Sequence, residues 1–238
     1  MSASSNKRYL ITHQSPRSQI SEQYRTLRTN IQFSSIDSPV QTLLVTSTNP
    51  GEGKTTLVAN LAVTYAQENK NVLIVDADLR KPTQHLYFFQ SNRTGLSHLL
   101  SNQCSLYEAV SETTVENLSI ITSGPIPPNP AELLSSRRMR QFMEEIKEHF
   151  DIILIDSPPV LAVTDAQILA AQSDGVIVVL GAGKVKRDHA RKTLAALEHV
   201  KANVLGTVLN NRRGRPDSYN YYYYGYGYGY GYGHKNEG

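Results

Sequence analysis

The chain has 238 residues, 39% of them hydrophobic, and a formal net charge of +3, which is one α/β domain's worth of core and too little charge to imply a nucleic-acid partner. No apolar run approaches the roughly 18 residues of a membrane span, and the polar stretch through Lys7 is not a signal peptide. The single cysteine, Cys104, excludes an internal disulfide framework, so a soluble, cytoplasmic protein is expected, with any membrane role reached through a partner.

Residues 1–15 read as a loose lead-in, 16–211 as the folded domain and 212–238 as a tail. Pro16 can open a helix with Ile20, Tyr24, Leu27 and Ile31 on one face. Glu22, Arg25 and Arg28 recur at every third position, which fits a solvated charged side with an internal ion pair as well as a contact surface.

The apolar run Leu43-Leu44-Val45 leads into Thr46-Ser47-Thr48-Asn49-Pro50-Gly51-Glu52-Gly53-Lys54-Thr55-Thr56, followed by apolar residues at helical spacing. Strand, glycine loop and helix is the arrangement that cradles a polyphosphate on backbone N–H groups. Gly51, Glu52, Gly53, Lys54, Thr55 and Thr56 are the binding candidates, with Lys54 reaching the outer phosphates and the Thr55 hydroxyl ligating Mg²⁺. Thr48 stands where the first glycine of that pattern belongs.

A buried strand at 71–75 ends in Asp76-Ala77-Asp78-Leu79-Arg80, and a second at 151–155 ends in Asp156-Ser157-Pro158-Pro159. Acids at the carboxyl ends of strands sit where α/β sheets bind ligands. A lone Asp there is usually a turn former, but two such strands after a glycine loop are hard to explain that way. Short helices are expected near 96–100 and 105–110, a strand at 118–122, and a rigid proline loop at 124–130. A helix then restarts at Ala131, and helices near 165–172 and 188–200 alternate with strands 175–180 and 204–210. That alternation predicts a doubly wound, mostly parallel sheet flanked by helices. Lys184, Lys186, Arg187, Arg191 and Lys192 read as a solvated face, and the seven histidines lack metal-ligand spacing.

Near its end the chain carries nine tyrosines: Tyr219, Tyr221, Tyr222, Tyr223, Tyr224, Tyr226, Tyr228, Tyr230 and Tyr232, alternating with glycine after Tyr224. Without aliphatic residues such a segment builds no core and is expected to be mobile, a low-complexity tail or a set of phosphate acceptors.

Together these residues resemble the bacterial tyrosine kinases of capsule and exopolysaccharide synthesis, over about 17–233. Residues 47–56, 72–80 and 152–158 are similar to that family's two Walker motifs and its additional acidic motif, and Glu22-x-x-Arg25-x-x-Arg28 to its subunit-contact motif. Residues 127–134 are similar to another characteristic run, and the tyrosine cluster to the family's autophosphorylation tail. The resemblance implies an ATP- and Mg²⁺-dependent protein-tyrosine kinase of P-loop fold. Lys54 would bind the β/γ-phosphates and Thr55, Asp78 and Asp156 the metal. Asp76 would be general base on the acceptor phenol, Arg80 would stabilise phosphate charge, and Asn210 would read adenine. It also implies a homo-oligomeric ring, a membrane-protein activator that recruits the kinase to the inner face of the membrane, substrates such as sugar-nucleotide dehydrogenases and glycosyltransferases, and a cognate tyrosine phosphatase. The alternative is a partitioning or positioning ATPase of the same lineage; such ATPases usually carry an extra lysine where Asn49 stands here, and need no tyrosine tail.

Overall fold

The computed structural model describes residues 9–34 and 39–211. In chain order the elements are α1 (Ile11–Gln14), α2 (Gln19–Phe33), β1 (Thr42–Ser47), α3 (Lys54–Ala66), β2 (Val72–Asp76), α4 (Gln84–Tyr87), α5 (Leu96–Leu100) and α6 (Leu106–Ala109). They continue as β3 (Val110–Glu112), β4 (Leu118–Ile121), α7 (Pro130–Ser135), α8 (Arg137–Lys147), β5 (Ile152–Asp156), α9 (Asp165–Ala170), β6 (Gly175–Gly181), α10 (Arg187–His199) and β7 (Val204–Asn210).

The strands form one seven-stranded sheet in the order β3-β4-β2-β5-β1-β6-β7, parallel except for the β3–β4 pair. Alternation along each strand divides the apolar residues between two cores. Leu43, Val45, Ile74 and Leu154 face the layer that contains α3, whereas Leu44, Val75 and Ile155 face the layer that contains Phe142 of α8 and Leu197 of α10. Burial on both faces explains why the parallel strands read as continuous apolar runs. Among the described residues no helix is long and apolar enough to cross a membrane.

The expected strands and the parallel doubly wound sheet are present, and three short elements, α1, α4 and β3, went unforeseen. The lead-in needs correction from residue 9 onward. Leu10 and Thr12 are buried, and Thr12 donates from its backbone N–H and its hydroxyl to Asn60 Oδ1, both at 3.1 Å. A four-residue helix shows no periodicity; it is held here by a polar group buried in α3 rather than by an apolar stripe.

Helix α2 starts at Gln19 rather than at Pro16, capped by the Ser18 hydroxyl, which accepts from Ser21 N–H at 3.2 Å. Its buried stripe keeps Tyr24, Leu27 and Ile31 of the expected one but not Ile20. Ile20 is 53% exposed, whereas Ser21, Arg28 and Ile31 are buried. Glu22, Arg25 and Arg28 also do not share one face, because each three-residue step falls about 60° short of a full turn. Glu22 and Arg25 pair at the surface. Arg28 instead turns inward, donating to Thr64 O and pairing with Glu68 at the end of α3.

Candidate active site

The glycine loop joins β1 to α3 at the carboxyl edge of the sheet. Gly51 and Gly53 hold φ of +77° and +94°, the left-handed region in which a side chain is strained. A Cβ on Gly53 would also lie 2.0 Å from Asn210 Nδ2. Asn210, closing β7, donates from that nitrogen to Glu52 O at 2.8 Å, so it clamps the loop from the β7 side. The Glu52 carboxylate turns into the protein, 2% exposed, and accepts from Thr48 N–H at 2.9 Å and Asn49 Nδ2 at 3.2 Å. Threonine replaces the usual first glycine because its side chain has a place: the Thr193 hydroxyl of α10 donates to Thr48 Oγ1 at 3.1 Å. The loop thus leaves the first N–H groups of the 13-residue α3 facing outward, a ready anion site.

Lys54 opens α3 and reaches across to β2 and β5. Its Nζ lies 3.0 Å from Asp78 Oδ2 and 3.5 Å from Asp156 Oδ1, with all three side chains nearly buried. Burial alone would lower the Lys54 pKa, but Asp156 and Asp78 outweigh it and hold the ammonium above its usual value. Asp156 is paired in register with Asp76 on the neighbouring strand. Burial pushes both carboxyls up; for Asp76 the nearby Asp156 charge adds to this, while for Asp156 Lys54 and a hydrogen bond from the Thr55 hydroxyl oppose it.

Asp76 lies deeper than Asp78. It is fully buried, and its oxygens already accept from the N–H groups of Asp78, Thr83 and Gln84 at 3.3, 3.1 and 2.9 Å. It shapes the 78–84 loop from beneath, whereas Asp78 lines the open cavity of about 540 Å³ above. Arg80 sits at the rim of that cavity, and its guanidinium grips Asp165 with two bonds of 2.9 Å.

The structure therefore brings Gly51, Gly53, Lys54, Thr55, Thr56, Asp78 and Arg80 around one cavity, with Asp156 just behind Lys54. Glu52 and Asn210 brace the loop, Asp76 lies beneath, and Glu22, Arg25 and Arg28 belong to α2. The expected phosphate acceptors Tyr219, Tyr221, Tyr222, Tyr223, Tyr224, Tyr226, Tyr228, Tyr230 and Tyr232 all lie outside the described residues.

Sequence reasoning passed over four participants. Gln84 donates from Nε2 to Asp156 Oδ2 at 3.0 Å, Thr83 reaches Thr55 Oγ1 at 3.4 Å, the Tyr87 hydroxyl meets Thr56 Oγ1 at 2.6 Å, and Asp165 anchors Arg80. Only Asp165, an acid at the start of an expected helix, carried a sequence signal. Among the described residues no three His, Cys, Asp or Glu side chains are grouped to hold a metal by themselves. The Thr55 hydroxyl with Asp78 and Asp156 is instead a small set of hard oxygens, which suits a divalent cation that shares its remaining ligands with a polyphosphate.

The family model described as an AAA domain matches residues 40–209. Tyrosine-protein kinase YwqD of Bacillus subtilis is 46% identical over 207 residues, which cover 87% of this chain and 87% of that protein. The crystal structure of the chimerical protein CapA2B2 is similar with a TM-score of 0.81 at 44% identity, covering 84% of this chain and 88% of that one. The kinase domain of Escherichia coli tyrosine kinase ETK gives 0.83 at 31% identity, over 94% and 85%. With a lysine-bearing glycine loop facing paired strand-end carboxylates, and relatives at this level of identity along most of its length, the chain belongs to the bacterial tyrosine-protein kinases of the capsule and exopolysaccharide type.

Proposed function

We propose that the chain transfers the γ-phosphoryl group of ATP to tyrosine hydroxyls. The acceptors are its own Tyr219, Tyr221, Tyr222, Tyr223, Tyr224, Tyr226, Tyr228, Tyr230 and Tyr232, and proteins of capsule synthesis such as sugar-nucleotide dehydrogenases. The observation that carries this reading is the convergence of Lys54 with Asp78 and Asp156 beneath the open N-terminus of α3.

The outward N–H groups of α3 and its loop bind the β- and γ-phosphates, and Lys54 swings from its carboxylates to the anion as it arrives. Thr55, Asp78 and Asp156 would hold Mg²⁺, which would supply positive charge against that of the phosphates. The acceptor phenol oxygen forms a bond to the γ-phosphorus as the bond to the bridging oxygen breaks, and that electron pair leaves with ADP. The phenol proton passes to Asp78, the carboxylate that lines the cavity. Arg80, held in place by Asp165, offers positive charge at the rim. Asn210 stands at the β7 side of the loop, where the adenine would lie.

Oligomerisation through Glu22 and Arg25, activation by the inner segment of a membrane protein and removal of phosphate by a tyrosine phosphatase complete this reading. The test is incubation of the full chain with ATP and Mg²⁺, followed by detection of phosphotyrosine with and without activator peptides. Labelling is expected; its absence under every activator condition would refute the assignment.

A further inference from the structure

The segment after β5 is unusual for a loop beside a phosphate site. Residues 158–163 read Pro-Pro-Val-Leu-Ala-Val, without one polar side chain. Val160 is buried and donates its N–H to Ser47 O at 2.9 Å, and Ala162 N–H closes a turn on Pro159 O at 3.1 Å. The segment is thereby pinned against the end of β1, yet Leu161 and Ala162 are exposed and Val163 is only half-buried. Apolar side chains held at the surface cost hydration free energy unless something covers them.

Pro159, Ala162 and Val163 line the 540 Å³ cavity together with the phosphate loop and the loop after β2. Phosphates have no use for such a wall; they take N–H groups and cations. The base is no better a candidate. Asn210 ends β7, three places from β5 in the sheet, and does not line this cavity. The cavity thus has an anion-binding half at Lys54 and an apolar half that a nucleotide anchored at α3 leaves uncovered.

The geometry points to an acceptor subsite: the ring of the tyrosine to be phosphorylated lies on Pro159, Ala162 and Val163, with its hydroxyl directed to Asp78 and Lys54. This rests on the kinase reading above. The subsite selects phenols over aliphatic hydroxyls, because a serine side chain would leave the apolar wall bare. It favours small neighbours in the acceptor chain, as the Tyr-Gly alternation at 224–233 supplies, since the wall is continuous with the loop backbone. Charge contributes little. Arg80 is directed towards Asp165 and the phosphates, and Lys81 is the other cation that lines the cavity from the loop after β2.

The test uses the full chain with ATP, Mg²⁺ and a synthetic peptide of residues 216–233, with initial rates of peptide labelling measured against each substrate. Val163→Ser removes apolar contact, and Ala162→Trp fills the subsite from an exposed position. Both are expected to raise the peptide KM about tenfold or more while the ATP KM stays within twofold. A companion peptide with every tyrosine replaced by serine should remain unlabelled. Peptide KM values within twofold of the parent chain in both variants, or a parallel rise in the ATP KM, would overturn the subsite while leaving the kinase assignment standing. If the parent chain labels neither its own tail nor the peptide, the kinase reading fails, and the subsite with it.

Discussion

Lys54→Met is the customary way to silence a phosphate-binding lysine, and here it should also weaken the fold. Lys54, Asp78 and Asp156 keep 11%, 7% and 1% of their side-chain surface exposed, so the substitution leaves two buried carboxylates without their cation. Breaking a buried pair by removing one partner costs about 3–5 kcal/mol. The Gln84 amide at 3.0 Å and the Thr55 hydroxyl still serve Asp156, which puts the expectation near the lower end, about 3 kcal/mol. For a domain of this size that lowers Tm by about 6–12 °C. The deficit should depend on pH. Asp156 already has its pKa raised by burial, and loss of Lys54 raises it further. The folded state then binds more protons than the unfolded one, so stability declines as pH rises from about 3.9 through the raised folded value. The gap between variant and parent should therefore be small in acid and full at neutral pH. Thermal unfolding of both chains without nucleotide or metal, at pH 5 and pH 8, reads this directly. Equal Tm values at both pH values would refute the view that Lys54 is a structural cation in the empty site.

Three further outcomes follow from the same geometry. Asp78→Asn should cut phosphotransfer by about 10²-fold or more at saturating ATP and Mg²⁺, and Asp76→Asn should act chiefly by lowering Tm; the opposite pattern would return the base to Asp76. Replacing Glu22 and Arg25 with Ala should reduce the mass seen by light scattering, whereas Arg28→Ala should lower Tm by loosening α2 from α3. An Arg28→Ala chain of unchanged Tm and reduced mass would contradict that division. In a mixture of full-length Lys54→Met with an active chain truncated after Asp217, held below the Tm of the variant, phosphate should appear on the Lys54→Met tail; an unlabelled tail would confine transfer to one subunit.

The strands and the phosphate loop were legible because they obey local rules: continuous apolar runs for strands buried on both faces, and Gly51 and Gly53 where only glycine tolerates the backbone. What escaped notice depends on contacts far apart in sequence. Thr12 folds because Asn60 awaits it 48 residues away, and Arg80 is fixed by Asp165, 85 residues on. Asp76 and Asp78 stand two apart at one strand end, but the turn at Ala77, whose N–H goes to Asp156 O at 2.8 Å, puts one beneath the loop and the other in the cavity. The placement of the α2 residues also depends on more than their spacing. Spacing of three residues gives neighbours but not a common face over two steps, and burial then separates Arg28 from its partners.

The register of the sheet makes the site electrostatically frustrated before any ligand arrives. β2 and β5 place Asp76 beside Asp156, and the loop adds Asp78, so three acids meet at one edge with Lys54 as the cation that reaches two of them. Lys54 can leave for a phosphate only if positive charge replaces it, which ties nucleotide binding to a divalent cation through the protein's own charge balance. The consequence is measurable without catalysis. In Lys54→Met the carboxylates and the Thr55 hydroxyl have no competing ammonium, so Mg²⁺ alone should raise the Tm of the variant more than that of the parent chain, whose lysine already occupies the carboxylates. The increment should grow with pH as Asp156, its pKa raised by burial, ionises, and Ca²⁺, larger and less demanding of geometry, should also produce it. A Tm for Lys54→Met that is indifferent to either cation at pH 8 would mean that the carboxylates are protonated or relaxed apart once the lysine is gone, and that the coupling of metal to nucleotide does not originate in this charge balance.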